Sequence, residues 1–171
     1  MVLLDPKLHR RDSFVSGEPR LDEYLRHHAG QDAKRDSARP YVLVDPTAPD
    51  AILGYFTLSS LSVPLDLVPE HVHHVLAPYL EVPAILIGRL AVALTHQGRG
   101  IGGLLLRRAL DHCLRSTSHG AAASLIVVDA LHATAAAFYA RYGFQTFDDV
   151  PLFPKRMFLP MWTLRKALSA P

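Results

Sequence analysis

The chain has 171 residues, of which 49% are hydrophobic, and this size is typical of one domain with a sizeable core. A net charge of +2 does not by itself indicate a nucleic-acid-binding protein, and no apolar run is long enough to predict a membrane span. A single cysteine, Cys113, excludes an internal disulfide, and residues 1–12 lack the apolar core of a signal peptide. We therefore expect one domain over residues 1–171, located in the cytoplasm.

The first half of the chain predicts a helix followed by antiparallel strands. Gly17, Glu18 and Pro19 indicate a helix start, because proline is favoured in the first turn. The expected order is that helix fraying near residue 37, strands 41–44 and 52–63 around a turn at 46–50, and an irregular stretch 64–83 with a short helix around 70–80.

The second half alternates apolar runs with helical patterns. The expected order is strand 84–94, glycine-rich loop 95–103, helix 104–114, strand 122–131, helix 133–142 and strands 144–147 and 157–164. This order predicts a mixed α/β sheet with one parallel strand–helix–strand unit. In the first of these helices Cys113 lies on the apolar stripe, which is typical of a buried small side chain.

Basic residues concentrate towards the end of the chain. Residues 95–171 hold nine Lys or Arg against four Asp or Glu, whereas residues 41–94 are acidic. This asymmetry fits an anionic ligand bound by the C-terminal half, and ordinary surface scatter fits it equally well.

The glycine-rich loop is the most informative segment. Glycines stand at positions 98, 100, 102 and 103, between a predicted strand and a predicted helix. Without Cβ atoms the backbone can approach a ligand closely, and the helix start adds unpaired N–H groups and a positive dipole end. The loop therefore predicts a phosphate site, to which the Arg99 side chain could contribute a charge.

Three other interpretations of the loop compete. A Walker loop would need Lys and Ser or Thr after Gly103, and leucines follow instead. A dinucleotide fingerprint is present at Gly98, Gly100 and Gly103, with Asp129 at the end of the next strand, but too little chain follows for that fold. A tight structural turn would also use glycines.

Two motifs resemble the GNAT superfamily of CoA-dependent N-acetyltransferases. Arg89-Leu-Ala-Val and Gln97-x-x-Gly100-x-Gly102 are similar to the central strand and pyrophosphate loop of that family, and Ala135-x-x-Phe138-Tyr139-x-x-Tyr142-Gly143-Phe144 is similar to its second motif. The resemblance implies a GNAT fold, that is, a mixed and mostly antiparallel sheet with a splayed central parallel strand pair and helices on both faces.

The resemblance also implies acetyl-CoA as cosubstrate, with no metal. Strand backbone would pair with pantetheine and loop amides would hold the pyrophosphate. The implied cofactor contacts are Leu90, Ala91, Val92, Gln97, Gly98, Arg99, Gly100, Ile101, Gly102, Gly103 and Phe138.

Tyr139 is the candidate catalytic residue. A phenol with a pKa near 10 is a suitable weak acid for a departing thiolate, although core packing is its alternative role. No residue stands out as the base, and Glu70, Glu81, Asp129 and several histidines remain candidates. An α-amine, with a pKa near 7.7–8.0, would need no strong base.

The whole chain further resembles the acetyltransferase toxins of toxin–antitoxin pairs. The similar segments are Phe14-x-x-Gly17-x-x-x-Leu21-Asp22-x-Tyr24-Leu25, Ala29-x-Gln31-Asp32, Arg39-x-Tyr41-Val42, residues 52–58, 87–92 and 127–130, and Phe158-Leu159-Pro160-Met161. The resemblance implies acetylation of the α-amine of aminoacyl-tRNA, a block of translation and a ribbon-helix-helix antitoxin as partner. Lys34, Arg35, Arg39 and Arg89 would then contact RNA phosphates.

Several alternatives stay open at this point. The cluster around Lys34 and Arg35 is interleaved with acidic residues and could be a solvated helix end. The acceptor could instead be a small-molecule or protein amine, or the chain could be a non-catalytic CoA-binding module. A homodimer through residues 151–161 is possible on composition. His71, His73 and His74 suggest a metal only weakly, because no second ligand pair stands at a recognisable spacing.

Overall fold

The computed structural model describes residues 1–118, 120, 122–148 and 150–169. Its strands are β1 (Val2–Leu3), β2 (Arg39–Asp45), β3 (Ala48–Pro64), β4 (Glu81–Val92), β5 (Leu125–Ala130), β6 (Gln145–Thr146) and β7 (Lys155–Pro160). Its α-helices are α1 (Pro19–Glu23), α2 (Ala29–Lys34), α3 (Ile101–Ser118), α4 (Ala133–Ala140) and α5 (Met161–Ser169). A π-helical turn spans Tyr24–His28, and 3-10 turns span Leu65–Leu67, Glu70–Val75 and Leu94–His96.

The strands form a mixed sheet in the order β1-β2-β3-β4-β5-β7-β6. β4 and β5 pair in parallel from Ala84↔Leu125 to Ile87↔Val128, joined by α3 as the predicted crossover helix. The pairs β1–β2, β2–β3, β5–β7 and β6–β7 are antiparallel. The predicted class, a mostly antiparallel α/β sheet with one parallel pair, is confirmed.

The chain divides into two compact units. The first comprises Met1–Ser59 and Gly88–Ala109. Its core is built from side chains of the N-terminal segment, the π turn, the start of α2, strands β2 and β3, and the end of β4. These are Leu4, Phe14, Tyr24, Leu25, Ala29, Val42, Ile52, Tyr55, Ala91 and Ala93. This unit contains the glycine-rich loop.

The second unit comprises residues 60–87 and 110–171. Leu125, Ile126, Val127 and Val128 of β5 are fully buried, which explains why β5 is a continuous apolar run instead of an alternating one. α4 begins at Ala133 because the His132 side chain accepts a hydrogen bond from the Ala135 amide at 3.2 Å. This unit contains Tyr139.

Helix α3 carries the predicted apolar stripe. Leu105, Ala109 and Cys113 are fully buried along it, and burial raises the pKa of the Cys113 thiol to about 12. Over the described ranges, no helix is both long and apolar enough to cross a bilayer.

The first predicted helix is interrupted. The Ala29 amide bonds to the Tyr24 carbonyl, five residues back, so a π turn separates α1 from α2. Periodicity did not predict this wider turn, which keeps Tyr24, Leu25 and Ala29 buried on the core side.

The prediction of a strand through residue 164 was wrong. β7 ends at Pro160 and α5 begins at Met161, whose amide donates to the Ser124 carbonyl at 2.9 Å. Periodicity alone does not separate strand from helix in so short an apolar run, which explains the error.

Candidate active site

The glycine-rich loop adopts a backbone that requires glycine at two positions. Gly98 and Gly100 have φ angles of 74° and 76°, a region that L side chains rarely adopt. A Cβ atom added at either position would meet no heavy atom within 4 Å, so the space beside both residues is open. These glycines therefore serve the shape of the backbone and leave open space beside it.

The start of α3 provides donors next to that space. The first amide of this turn to bond backward is that of Leu104, which donates to the Gly100 carbonyl at 3.1 Å. The amides of residues 101–103 donate to no backbone carbonyl in the described part of the chain, as expected for a first helical turn. The Arg99 side chain is exposed beside them. Such an arrangement of N–H groups suits phosphate oxygens.

Gln97 braces the loop with its side chain. Its Nε2 donates to the carbonyl of Ser16 at 2.8 Å and to the carbonyl of Val92 at 3.0 Å, which uses both amide hydrogens. The sequence placed Gln97 among the cofactor contacts, whereas its side-chain donors are already engaged in holding the loop to the end of β4.

Sequence reasoning missed a second set of hydrogen bonds, which connects the N-terminal segment to the same loop. The buried Asp22 carboxylate accepts from the amide of Ser16 at 2.8 Å and from its hydroxyl at 2.6 Å. The Leu94 amide donates to the Val15 carbonyl at 2.9 Å. The only signal in the sequence was the place of Asp22 in the pattern shared with the toxins.

The end of β4 carries the other predicted cofactor contacts. Ile87 is the last residue of β4 in parallel register with β5, yet β4 continues to Val92. Leu90 is half-buried, whereas Ala91 and Val92 are buried. Their backbone therefore lies on a strand segment that the β5 register does not include.

Tyr139 is buried in α4, with 7% of its surface exposed. Its ring contacts those of Phe138 and Phe144 at centroid distances of 5.2 and 5.6 Å. Burial raises the pKa of the Tyr139 phenol well above its usual value, and the negative charge of Asp129 adds to that shift. The phenol is protonated at neutral pH, as a proton donor must be, and it is a weaker acid than an exposed tyrosine. Phe138 is half-buried beside it.

The candidate bases in the second unit differ in their partners. Asp129 forms a bidentate ion pair with Arg156, at 2.8 and 3.1 Å, and Glu81 accepts a hydrogen bond from Ser62. Glu70 is exposed. An engaged carboxylate is a weaker candidate for proton abstraction, because its oxygens already accept other hydrogen bonds.

The histidines considered as metal ligands have other contacts. His71 bonds to the side chain of Gln145 at 3.0 Å, and His73 bonds to the carbonyl of Val68 at 2.6 Å. Within the described ranges, no group of three His, Cys, Asp or Glu side chains is arranged to hold a metal ion.

The predicted RNA-contacting residues lie in the first unit. Lys34 and Arg35 are exposed at the end of α2, and exposed Arg39 forms an ion pair with Asp36 at 2.8 Å. Arg89 is half-buried on β4, with its guanidinium carbon 3.6 Å from the ring centroid of Tyr24. Sequence reasoning missed this contact, because nothing in the local pattern of either residue indicates it.

Residues 67–146 match the acetyltransferase (GNAT) domain family, which defines the class as acetyltransferases. The chain is also 39% identical over 142 residues to the tRNA-acetylating toxin of Mycobacterium tuberculosis, covering 82% of this chain and 81% of that protein. The chain therefore belongs to the GNAT acetyltransferases, in the family of this toxin. The probable toxin TacT of Sinorhizobium fredii is 27% identical over 97% of this chain and 93% of its own.

Solved structures of toxins share the fold over nearly the whole chain. A mutant of KacT superposes with a TM-score of 0.88 at 26% identity, covering 98% of this chain and 96% of that one. AtaT complexed with acetyl-methionyl-tRNAfMet gives a TM-score of 0.87 at 24% identity, covering 99% and 98%. AtaTR bound with AcCoA gives 0.84 at 24% identity, covering 98% and 96%.

Proposed function

We propose that the chain is an acetyl-CoA-dependent N-acetyltransferase that acetylates the α-amine of aminoacyl-tRNA and thereby blocks translation in the cytoplasm. The observation that carries this proposal is the 39% identity with a tRNA-acetylating toxin over 82% of the chain. In the reaction, the amine nitrogen forms an amide bond with the acetyl carbon and gives up one proton, the bond from that carbon to sulfur breaks with its electron pair on sulfur, and the thiolate takes up one proton.

The loop at residues 98–103 is the proposed seat of the cofactor diphosphate. Open space beside Gly98 and Gly100 and the unpaired amides at the start of α3 fit two neighbouring phosphates. The backbone of Leu90 to Val92 is proposed to pair with the pantetheine arm, and the Val92 amide to polarise the thioester carbonyl.

Tyr139 is the proposed general acid. Its buried phenol stays protonated, so a proton is held ready for the sulfur as the carbon–sulfur bond breaks. An α-amine as acceptor fits a site without a strong base, since with a pKa near 7.7–8.0 about a third of it is already neutral near pH 7.5. This matters because Asp129, the carboxylate nearest in sequence to α4, is paired with Arg156.

Lys34, Arg35, Arg39 and Arg89 are the proposed RNA contacts. Exposure of the first three supports contact with phosphates, although Arg39 must exchange its partner Asp36 for RNA. A ribbon-helix-helix antitoxin is the proposed protein partner, and a homodimer and a single functional domain over residues 1–171 remain part of the proposal.

The decisive experiment offers the purified chain labelled acetyl-CoA and several acceptors. Aminoacyl-tRNA should be labelled at its α-amine, whereas deacylated tRNA should not, and the Tyr139→Phe variant should be nearly inactive. Labelling of a polyamine or a peptide amine, without labelling of aminoacyl-tRNA, would select a different acceptor class. Tight acetyl-CoA binding without turnover on any acceptor would indicate a binding module.

A further inference from the structure

Arg89 is a half-buried cation for which the described residues supply no counter-ion. Within the described residues, its guanidinium forms no ion pair and no hydrogen bond, and its one close partner is the face of the Tyr24 ring at 3.6 Å. A partly desolvated charge is costly unless something neutralises it. A guanidinium stacked on an aromatic face keeps its N–H edge available for an anion.

The Tyr24 ring has three contacts besides Arg89. Its hydroxyl donates to Asp32 Oδ2 at 2.9 Å, and its ring stacks on those of Tyr55 and His28 at centroid distances of 6.4 and 6.3 Å. Tyr24 itself is only 4% exposed, at the start of the π turn. The Asp32 carboxylate is thus bound to the phenol and does not pair with Arg89, although both act electrostatically on Tyr24.

Arg89 directly precedes the strand residues that are proposed to contact pantetheine. The terminal nucleotide of aminoacyl-tRNA carries an aminoacyl group, with its free α-amine, as an ester on the ribose, and the same sugar is joined to the preceding nucleotide by a phosphodiester. A phosphate-binding site beside Leu90 would therefore fix that sugar and direct the attached amine along β4. The cofactor diphosphate does not need this binding site, because the loop amides at residues 98–103 can hold it.

We infer that Tyr24 and Asp32 are positioning residues. They hold the Arg89 guanidinium over the Tyr24 ring so that it binds a phosphodiester of aminoacyl-tRNA. The inference rests on the proposed function for the identity of the acceptor. The shared chemistry is a phosphate oxyanion, and it could also be supplied by coenzyme A, so the experiment must separate the two sources.

The test measures kcat and KM for both substrates in a series of variants. Arg89→Lys and Tyr24→Leu should raise the KM for aminoacyl-tRNA about 3- to 10-fold and leave the KM for acetyl-CoA unchanged. Asp32→Ala should do the same more weakly, and Asp32→Asn, whose carbonyl still accepts from Tyr24, should restore the wild-type KM. Arg89→Ala should reduce the slope of log KM for aminoacyl-tRNA against log salt concentration by about 0.7–0.9.

Tyr55→Phe is the matched control for Tyr24→Phe. Each removes one buried hydroxyl hydrogen bond, that of Tyr55 being to the Leu21 carbonyl at 2.7 Å, but only Tyr24 is bonded to Asp32. Both should lower the melting temperature by a similar amount, and only Tyr24→Phe should raise the KM for aminoacyl-tRNA.

A separate arm titrates a deacylated acceptor-stem minihelix by fluorescence anisotropy, which does not depend on turnover. If the wild type binds it and Arg89→Ala does not, while aminoacyl-tRNA is never acetylated, the inference stands and the proposed function fails. An unchanged KM for aminoacyl-tRNA in Arg89→Lys and Tyr24→Leu overturns the inference. A change confined to the KM for acetyl-CoA also overturns the inference, because it would assign the phosphate-binding site to the cofactor.

Discussion

A single buried hydroxyl carries the acid chemistry proposed for this enzyme. In the described residues, the Tyr139 phenol oxygen forms no hydrogen bond, and the ring is held only by Phe138, Phe144 and the surrounding core. Removing the oxygen should therefore disturb chemistry far more than folding, because no protein hydrogen bond is lost with it.

Tyr139→Phe is expected to lower kcat for acetyl transfer by about 10²- to 10⁴-fold, the range for loss of a general acid. The KM for acetyl-CoA and the melting temperature should stay close to those of the wild type. Steady-state kinetics and thermal unfolding measure these quantities. A variant that retains full kcat would show that another group protonates the sulfur.

At the scale of elements, the strand–loop–helix unit from β4 to α3 defines the cofactor site. Its shape depends on two glycines with positive φ, where an alanine costs about 1–2 kcal/mol. Because both positions face open space, the cost is one of backbone conformation, with no packing clash.

Gly98→Ala and Gly100→Ala are each expected to raise the KM for acetyl-CoA about 10-fold, since the loop must shift its amides to relieve that strain. Gly120→Ala is a matched control, because Gly120 also has a positive φ, of 131°, with nothing within 4 Å, but it lies outside the loop. Calorimetric titration with acetyl-CoA would separate the three variants. Equal affinities in all of them would contradict the assigned loop.

Local sequence patterns predicted the elements of the site, but they could not predict its long-range contacts. The spacing of glycines 98, 100 and 102 and the pair Phe138-Tyr139 are short motifs, so one sequence was enough to place them. The hydrogen bond from Gln97 to Ser16 joins residues 81 positions apart, and no periodicity encodes it. The same holds for the contact between Arg89 and Tyr24, which lie 65 positions apart in the sequence.

At the scale of the whole molecule, the succession of elements along the chain and the parallel pair followed from the sequence, because β3, β4 and β5 contain distinct apolar runs. The closing segment did not follow, since Met161 and Trp162 suit a strand and a helix equally. The identity of the acceptor also lies outside the fold, because one fold hosts many acceptors and only the site selects among them.

Protein stability should fall in alkaline solution. Burial raises the pKa of Tyr24, Tyr55 and Tyr139, and that of Cys113 to about 12, so folding favours the protonated form of each group. This contribution is fully present below the ordinary values, near 9 for the thiol and 10 for the phenols, and is lost as pH rises above them. The free energy of unfolding, measured in urea from pH 8 to 11, should decline above about pH 9. A flat profile would contradict the burial of these groups.

The double anchor of the Gln97 side chain has a consequence for how the cofactor arrives. Because the hydrogen bonds to Ser16 and Val92 form when the chain folds, the loop loses backbone entropy before any ligand is present. Acetyl-CoA then binds to a loop that is already ordered. The amides of residues 101–103, which donate to no backbone carbonyl in the described residues, should exchange rapidly in the free protein and slowly once they donate to the cofactor's phosphates.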